Sequence, residues 1–219
     1  MKSLFSTTIL GLCFLTLSCK RQHEPQHFPI PQANAADLGV ASPSGITLSV
    51  ENMVLEKGQV IAAQAFGVLS SQLGKAVAQA GLTNAITFCS VHGIAITSSV
   101  GVTNQVELRR VTQQPRNPQN RADTNELALI QRFQAQLAGG VSPKPIVTTN
   151  RGGHLTCYAP IVLKLPLCLS CHGQPGADIN ADVMDLLKQN YPQDEATGFR
   201  MGQLRGLWRV DFKRSDFEK

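Results

Sequence analysis

The sequence predicts an α+β domain in which helices flank an antiparallel sheet. From Asn52 to Ala80 the apolar residues recur at helical spacing, and Ala and Gln are frequent, so one long helix is expected. Helices and strands do not alternate in βαβ order, which favours an antiparallel over a parallel sheet. Strands are predicted at 102–114, 146–149, 155–163 and 204–212.

Local signals place the boundaries of the remaining helices. Gly81 ends the first helix, and a second begins near Thr83 or Asn84. The turn-forming stretch 115–120 precedes a capping box, in which Asp123 is the cap and Glu126 stands three residues on. That box opens a helix that Gly139 and Gly140 end. A short helix is expected at 180–190, and Gly152 and Gly153 suit a hairpin turn between two strands.

The N-terminus has the pattern of an export signal. Lys2 is followed by a short apolar run, and Ser18 immediately precedes Cys19, as in bacterial lipoprotein signals. We therefore predict a signal peptide at 1–18, lipidation of Cys19, a flexible tether at 19–50 and a folded domain at 51–219. The alternative is an ordinary cleaved signal with an incidental cysteine. Either signal places the protein in the cell envelope, and a periplasm-facing outer-membrane lipoprotein is preferred.

The basic balance does not indicate nucleic-acid binding. The formal net charge is +5, and part of it belongs to the predicted signal peptide. One Trp and two Tyr leave few aromatic platforms on which bases could stack. The expected partners are instead a redox or signalling protein and, through the lipid anchor, a membrane.

The strongest chemical motif is Cys168-Leu169-Ser170-Cys171-His172, the C-x-x-C-H attachment signature of c-type haem. Two thiols three positions apart can both form thioethers to one haem, and the adjacent histidine then ligates the iron. The alternatives are a redox-active C-x-x-C pair and half of a zinc site. A zinc site requires a second pair at similar spacing, and the sequence has none. We predict one covalent haem c.

Spacing alone leaves the second axial ligand open. The candidates are water and the side chains of Cys89, His92, His154 and Met201. Cys89 and His92 lie three positions apart on a predicted helix, so both can face one pocket. A thiolate ligand would lower the iron potential, whereas His92 would give a bis-histidine site.

From about residue 55 onward the chain resembles a bacterial family of single-haem c-type domains. The resemblance rests on segments 85–89, 108–110, 116–120, 158–161, 168–173 and 202–206, together with Asp123 and Glu126. That family is catalogued as a domain of unknown function and is also the sensor part of some membrane-bound histidine kinases. The resemblance implies a PAS-like fold and, in the position of Cys89, the second axial ligand opposite His172.

Cys157 is not part of the family pattern. Two leftover cysteines in an exported protein ordinarily suggest a disulfide. A Cys89–Cys157 bond would remove the thiolate ligand and leave the iron to His92, His154 or water. We favour Cys89 as the iron ligand and keep the disulfide as the alternative.

Arginines near the predicted turn have two interpretations. They form a solvated surface, or some of them bind the haem propionates through bidentate guanidinium contacts. We predict cofactor contacts from Arg109, Arg116 and Asn117. Neighbouring strand residues point to opposite faces, so of Arg109 and Arg110 only one is expected to reach the haem. Arg121 is a further candidate.

These features predict an exported, lipid-anchored haem c protein that senses redox state or transfers single electrons. Two protein ligands would leave the iron no open position, so an enzyme is not the expected class. The alternatives are a small peroxidase-like enzyme with His92 or His154 as the distal acid–base group, and a gas-binding sensor in which the gas displaces Cys89.

Overall fold

The computed structural model describes residues 48–149 and 152–218. The predicted signal peptide, Cys19 and nearly all of the predicted tether lie outside these residues. The elements in chain order are α1 (Leu48–Thr103), β1 (Glu107–Val111), α2 (Thr124–Ala138), β2 (Ile146–Thr149), β3 (Leu155–Val162), α3 (Pro166–His172), α4 (Ala181–Asn190) and β4 (Leu204–Phe212).

Helix α1 consists of two limbs joined by a kink at the predicted break. Ala80 and Gly81 have non-helical dihedral angles, and Gly81 has φ 78° and ψ −172°, a conformation that only glycine adopts readily. Across the kink, the side-chain amide of Asn84 donates a hydrogen bond to Ala76 O (2.9 Å). We call residues 48–79 the first limb and residues 82–103 the second limb.

The strands form one antiparallel sheet in the order β1-β4-β3-β2, as the sequence predicts for an α+β domain. The first limb of α1 packs on one face, where Ile61 and Ala65 meet Cys157, Trp208 and other side chains of β3 and β4. Helix α2 packs on the other face. There a second core contains Leu129, Ile130, Phe133, Tyr158 and Leu207.

Strand β1 is shorter than the predicted strand 102–114. The helix continues to Thr103, and the chain then reverses so tightly that Val106 N donates to Gly101 O (3.0 Å). At the other end, Thr112 leaves the strand because its backbone N–H and C=O pair with Asn120 and Ala122. Apolar alternation at 102–114 therefore spans a helix end, a turn and a strand.

The predicted capping box at the start of α2 is confirmed. Asp123 Oδ1 accepts from Glu126 N, and Glu126 Oε2 accepts from Asp123 N, each at 2.9 Å. The Glu126 side chain is buried, and its other oxygen forms an ion pair with Arg209 (3.0 Å). Arg209 also binds Asp211 (2.7 Å), so these buried charges compensate one another.

Helix α1 is the one element of the described chain long and apolar enough to cross a membrane by length and composition. A third of its most apolar window is buried within the domain. Core helices pass the same test, so this feature does not by itself indicate a membrane span.

The first limb lies unusually close to β3. A Cβ added to Gly58 would lie 2.5 Å from Cys157 Cβ, and Cys157 itself is fully buried. No real Cβ atoms approach so closely, so Gly58 sets the distance between helix and sheet.

Replacing Gly58 is therefore expected to destabilise the domain. Gly58→Ala should lower the free energy of unfolding by about 1–3 kcal/mol, the cost of overpacking a core. Gly67→Ala is the matched control, since nothing lies within 4 Å of its added Cβ. That control should raise the free energy of unfolding by about 1 kcal/mol through helix propensity. Urea unfolding measures both, and equal effects would contradict the close packing.

Candidate haem site

A cavity of about 250 Å³ lies between both limbs of α1, helices α3 and α4, and the adjoining ends of β1, β3 and β4. Apolar side chains supply most of its wall. The polar residues that line it are Cys89, Arg110, Thr112, Arg116, Asn117, Asn120, Cys168, Cys171, His172, Tyr191 and Arg205. The cavity thus contains the C-x-x-C-H motif together with thiol and guanidinium groups from three other parts of the chain.

The motif lies on the short helix α3. Leu165 caps it in an extended conformation, and Pro166 occupies the first turn, where a missing backbone N–H costs nothing. Cys168 and Cys171 are three residues apart on this helix, and both line the cavity. Gly173 ends the helix, and a Cβ there would overlap the side chain of Asp178.

His172 is held in one tautomer. Its Nδ1 lies 2.8 Å from Ala196 O, and because a carbonyl can only accept, Nδ1 carries the proton. Nε2 therefore keeps its lone pair, as a metal-ligating imidazole requires. Phe199 packs edge-on against the ring, with centroids 6.3 Å apart.

Arg116 connects the predicted turn to the motif. Its guanidinium forms an ion pair with Asp194 (3.1 Å) and donates to Cys171 O and Ala196 O. Asp194 in turn accepts from Ala196 N (2.8 Å). The carbonyl that orients His172 is thus fixed by Arg116 from one side and by Asp194 through the backbone.

Positive charge is in excess around the cavity. Arg110, Arg116 and Arg205 line it, and Asp194 is the one carboxylate paired with any of them in the described residues, an excess of two positive charges. Arg110 donates to Gly93 O (3.1 Å), and Arg205 donates to Gln114 O (3.0 Å). The Nε atoms of Arg110 and Arg205 are buried and have no hydrogen-bond partner among the described residues.

These charges shift the pKa values of one another and of neighbouring groups. Loss of solvation, and then the repulsion of Arg116 and Arg110, lower the pKa of Arg205 to about 9. Loss of solvation, followed by repulsion from Arg205 and Arg116, also lowers the pKa of His172 well below its usual range. The cavity therefore favours a neutral imidazole and a bound anion.

Cys89 lines the cavity from the second limb, whereas His92, which the helical spacing placed on the same face, does not. Burial raises the pKa of its thiol, and the charges of Arg110 and Arg116 act in the opposite direction. Cys157 lies instead in the core beneath α1, where burial raises its pKa to about 12. Both thiols are free, so the structure does not contain the alternative Cys89–Cys157 disulfide.

Other predicted candidates lie elsewhere. His92, His154 and Met201 are exposed and do not line the cavity. Of the two adjacent arginines it is Arg110 that lines this cavity, whereas Arg109 donates to Gln119 O (3.2 Å). Arg121 pairs with Glu195 at the surface.

Three cavity residues gain importance from the structure. Asn117 was predicted and lines the cavity, while its side-chain oxygen caps the turn by accepting from Gln119 N (3.0 Å). Sequence reasoning assigned no role to Arg205 or Tyr191. The segment around Arg205 was part of the family resemblance, but only the structure shows that Arg205, at a register shift between β3 and β4, lines the cavity.

The described residues contain no group of three or more His, Cys, Asp or Glu placed to hold a metal ion.

Comparisons with known proteins agree with this architecture. The model of the Tll0287-like family matches residues 47–212. Among solved structures, the crystal structure of the cyanobacterial haem protein Tll0287 is similar to this chain, with a TM-score of 0.52 and 20% sequence identity. The match covers 77% of this chain and 98% of that one, and it shows a shared fold. No curated protein matches the chain.

The thiols of Cys89 and Cys157 should differ in reactivity. In the folded protein without haem, iodoacetamide should label Cys89 at least tenfold faster than Cys157, because the Cys157 thiol is fully buried with a pKa near 12. In denaturant without reductant both should label fully. A linked Cys89–Cys157 peptide in the mass spectrum would contradict the structure.

Proposed function

The chain belongs to the Tll0287-like family, and from this premise we propose that it binds one haem c, attached covalently to Cys168 and Cys171. The observation that carries the proposal is one cavity that combines the C-x-x-C-H helix, a His172 tautomer with Nε2 available, and an excess of positive charge. Such a cavity matches the thioether, iron and propionate groups of a haem c.

Each of these residues would have a distinct role. The thiols of Cys168 and Cys171 would form thioethers with the two vinyl groups, and His172 Nε2 would ligate the iron. The bound haem would supply an iron that changes by one electron. The protein would fix the imidazole through Ala196 O, and the hydrogen bond that Nδ1–H donates to this carbonyl would raise the donor strength of Nε2.

We propose Cys89 as the second iron ligand. It is the free thiol that lines the cavity outside the motif. Burial raises the pKa of this thiol, and the positive charges of Arg110 and Arg116 act in the opposite direction. Anionic sulfur would stabilise ferric iron and lower the reduction potential. The two nearby guanidiniums would act in the opposite direction.

The haem propionates are proposed to bind Arg110, Arg116 and Arg205, with Asn117 at the same wall. Two carboxylates would balance the excess of two positive charges and would supply acceptors for the unpartnered Nε atoms of Arg110 and Arg205. We do not propose this role for Arg109, because Arg110 lines the cavity and Arg109 binds Gln119 O instead.

With two protein ligands on the iron, the proposed activity is one-electron transfer or redox sensing. We further propose a PAS-like fold, which the antiparallel sheet with packed helices supports. Export and a lipid anchor at Cys19 rest on the sequence pattern alone. Membrane fractionation of Cys19→Ala tests the anchor, because loss of lipidation should release the protein into the soluble fraction.

Electron paramagnetic resonance of the ferric protein, produced with c-type maturation factors, tests the iron ligands. We expect a low-spin thiolate signal that disappears in Cys89→Ala and persists in Cys157→Ala, the matched cysteine control. In the double variant Cys168→Ala/Cys171→Ala, no haem should stay attached to the protein after denaturation. A high-spin ferric signal would instead show an open iron and favour the peroxidase-like or gas-binding alternative.

The reduction potential tests the role of the arginines. Arg205→Gln should lower the potential by about 30–60 mV, up to a tenfold change in the one-electron equilibrium, because a nearby positive charge favours the reduced haem. Arg205→Lys should restore most of the difference. Arg121→Gln removes an exposed charge paired with Glu195 and should leave the potential unchanged. Equal shifts in the two glutamine variants would contradict a local effect.

A further inference from the structure

Exposed apolar side chains line the cavity and lie on two chain segments that adjoin it. Phe66 and Leu167 line the cavity and are 47% and 44% exposed, so they stand where it meets solvent. Leu165 begins the motif helix and is 49% exposed, and Met201 is 42% exposed. We call these four residues, with Lys164 and Arg200, the mouth surface.

The two segments that carry most of this surface are joined by backbone hydrogen bonds. Leu163 N donates to Gln203 O (3.0 Å), and Gly202 N donates to Leu163 O (2.8 Å). Residues 164–167 and 200–201 therefore lie side by side next to the cavity. A cluster of exposed apolar groups that a fold holds in place is typical of an interaction site.

The mouth surface is basic and carries no acidic residue. Lys164 and Arg200 are both exposed, and segments 160–177 and 198–210 contain no Asp or Glu. The nearest carboxylates along the chain are engaged elsewhere. Asp178 accepts from Gln174 N beyond the far end of α3, Asp194 binds Arg116, and Glu195 binds Arg121.

We infer that the mouth surface docks an acidic redox protein, an inference that rests on the proposed function. Thioethers at Cys168 and Cys171 would fix one edge of the haem along α3, beside Leu165 and Leu167. Electrons would then enter or leave at this edge. An apolar centre with a charged rim suits a small, short-lived electron-transfer interface, because steering accelerates association without slowing release.

The charge distinguishes this partner from a second copy of the chain. In a twofold dimer the same patch faces itself, so the Lys164 and Arg200 side chains of two copies would be brought together and repel one another. An acidic partner would meet the same groups with attraction. An anionic lipid surface would also be attracted, and the experiment separates it.

The test is stopped-flow electron transfer from a reduced acidic [2Fe–2S] ferredoxin to the ferric haem protein. At low ionic strength, Lys164→Glu/Arg200→Glu should slow the bimolecular rate constant roughly tenfold. In about 0.5 M salt the wild type and this double variant should react with the ferredoxin at similar rates. The matched control is Lys144→Glu/Lys213→Glu, which changes the net charge equally at exposed positions away from the cavity. The control should stay within about twofold of the wild type.

Three results would overturn the inference while leaving the proposed function intact. These are equal slowing by both double variants, rates that do not depend on salt, and a concentration-dependent dimer in sedimentation that Leu165→Gln abolishes. Flotation with anionic vesicles that the Lys164→Glu/Arg200→Glu variant abolishes, without any change in rate, would replace the protein partner with a membrane. Absence of covalent haem from every variant would overturn the proposed function and this inference with it.

Discussion

The carbonyl of Ala196 is the point through which the parts of the site are held together. It accepts from His172 Nδ1 and from Arg116, while Asp194 binds both Arg116 and the Ala196 backbone. Ala196 is fully buried, so water does not compete for that carbonyl. In the same segment, Glu195 N donates a backbone hydrogen bond to Pro115 O (3.0 Å). The turn after β1, the segment after α4 and the motif helix therefore depend on one acceptor and the groups around it.

In the protein without a ligand, the charges at the cavity destabilise the fold. Three guanidiniums repel one another in a partly desolvated space, and two of their Nε atoms are buried without partners. A ligand that brings two negative charges would relieve both penalties. Because the three arginines come together only in the folded chain, their contacts with such a ligand would also stabilise the fold. The unbound cavity is therefore a source of instability that an anionic ligand would relieve.

Local features of the structure could be predicted from the sequence, and non-local ones could not. The capping box of α2 and the break at Gly81 depend on residues close in the chain, and both are confirmed. The end of β1 depends on pairing between Thr112 and residues 120–122, which alternation does not encode. The choice between Arg109 and Arg110 and the part played by Arg205 depend on strand register. Likewise, Cys157 separates from Cys89 because it faces the α1 core, a fact that cysteine counting does not contain.

The wall of the cavity is assembled from stretches near residues 66–94, 110–120, 161–172 and 187–206. No contiguous fragment contains it, whereas the two thiols and the imidazole of the motif lie within five residues. The covalent haem attachment proposed above would therefore be possible on an unfolded chain, because it needs only a local sequence. The arginines and Cys89 come into reach only after sequence-distant elements have paired, which is the slow part of folding for a sheet of this kind. Maturation would accordingly proceed in two stages, with chemistry on an open chain first and closure around the product second.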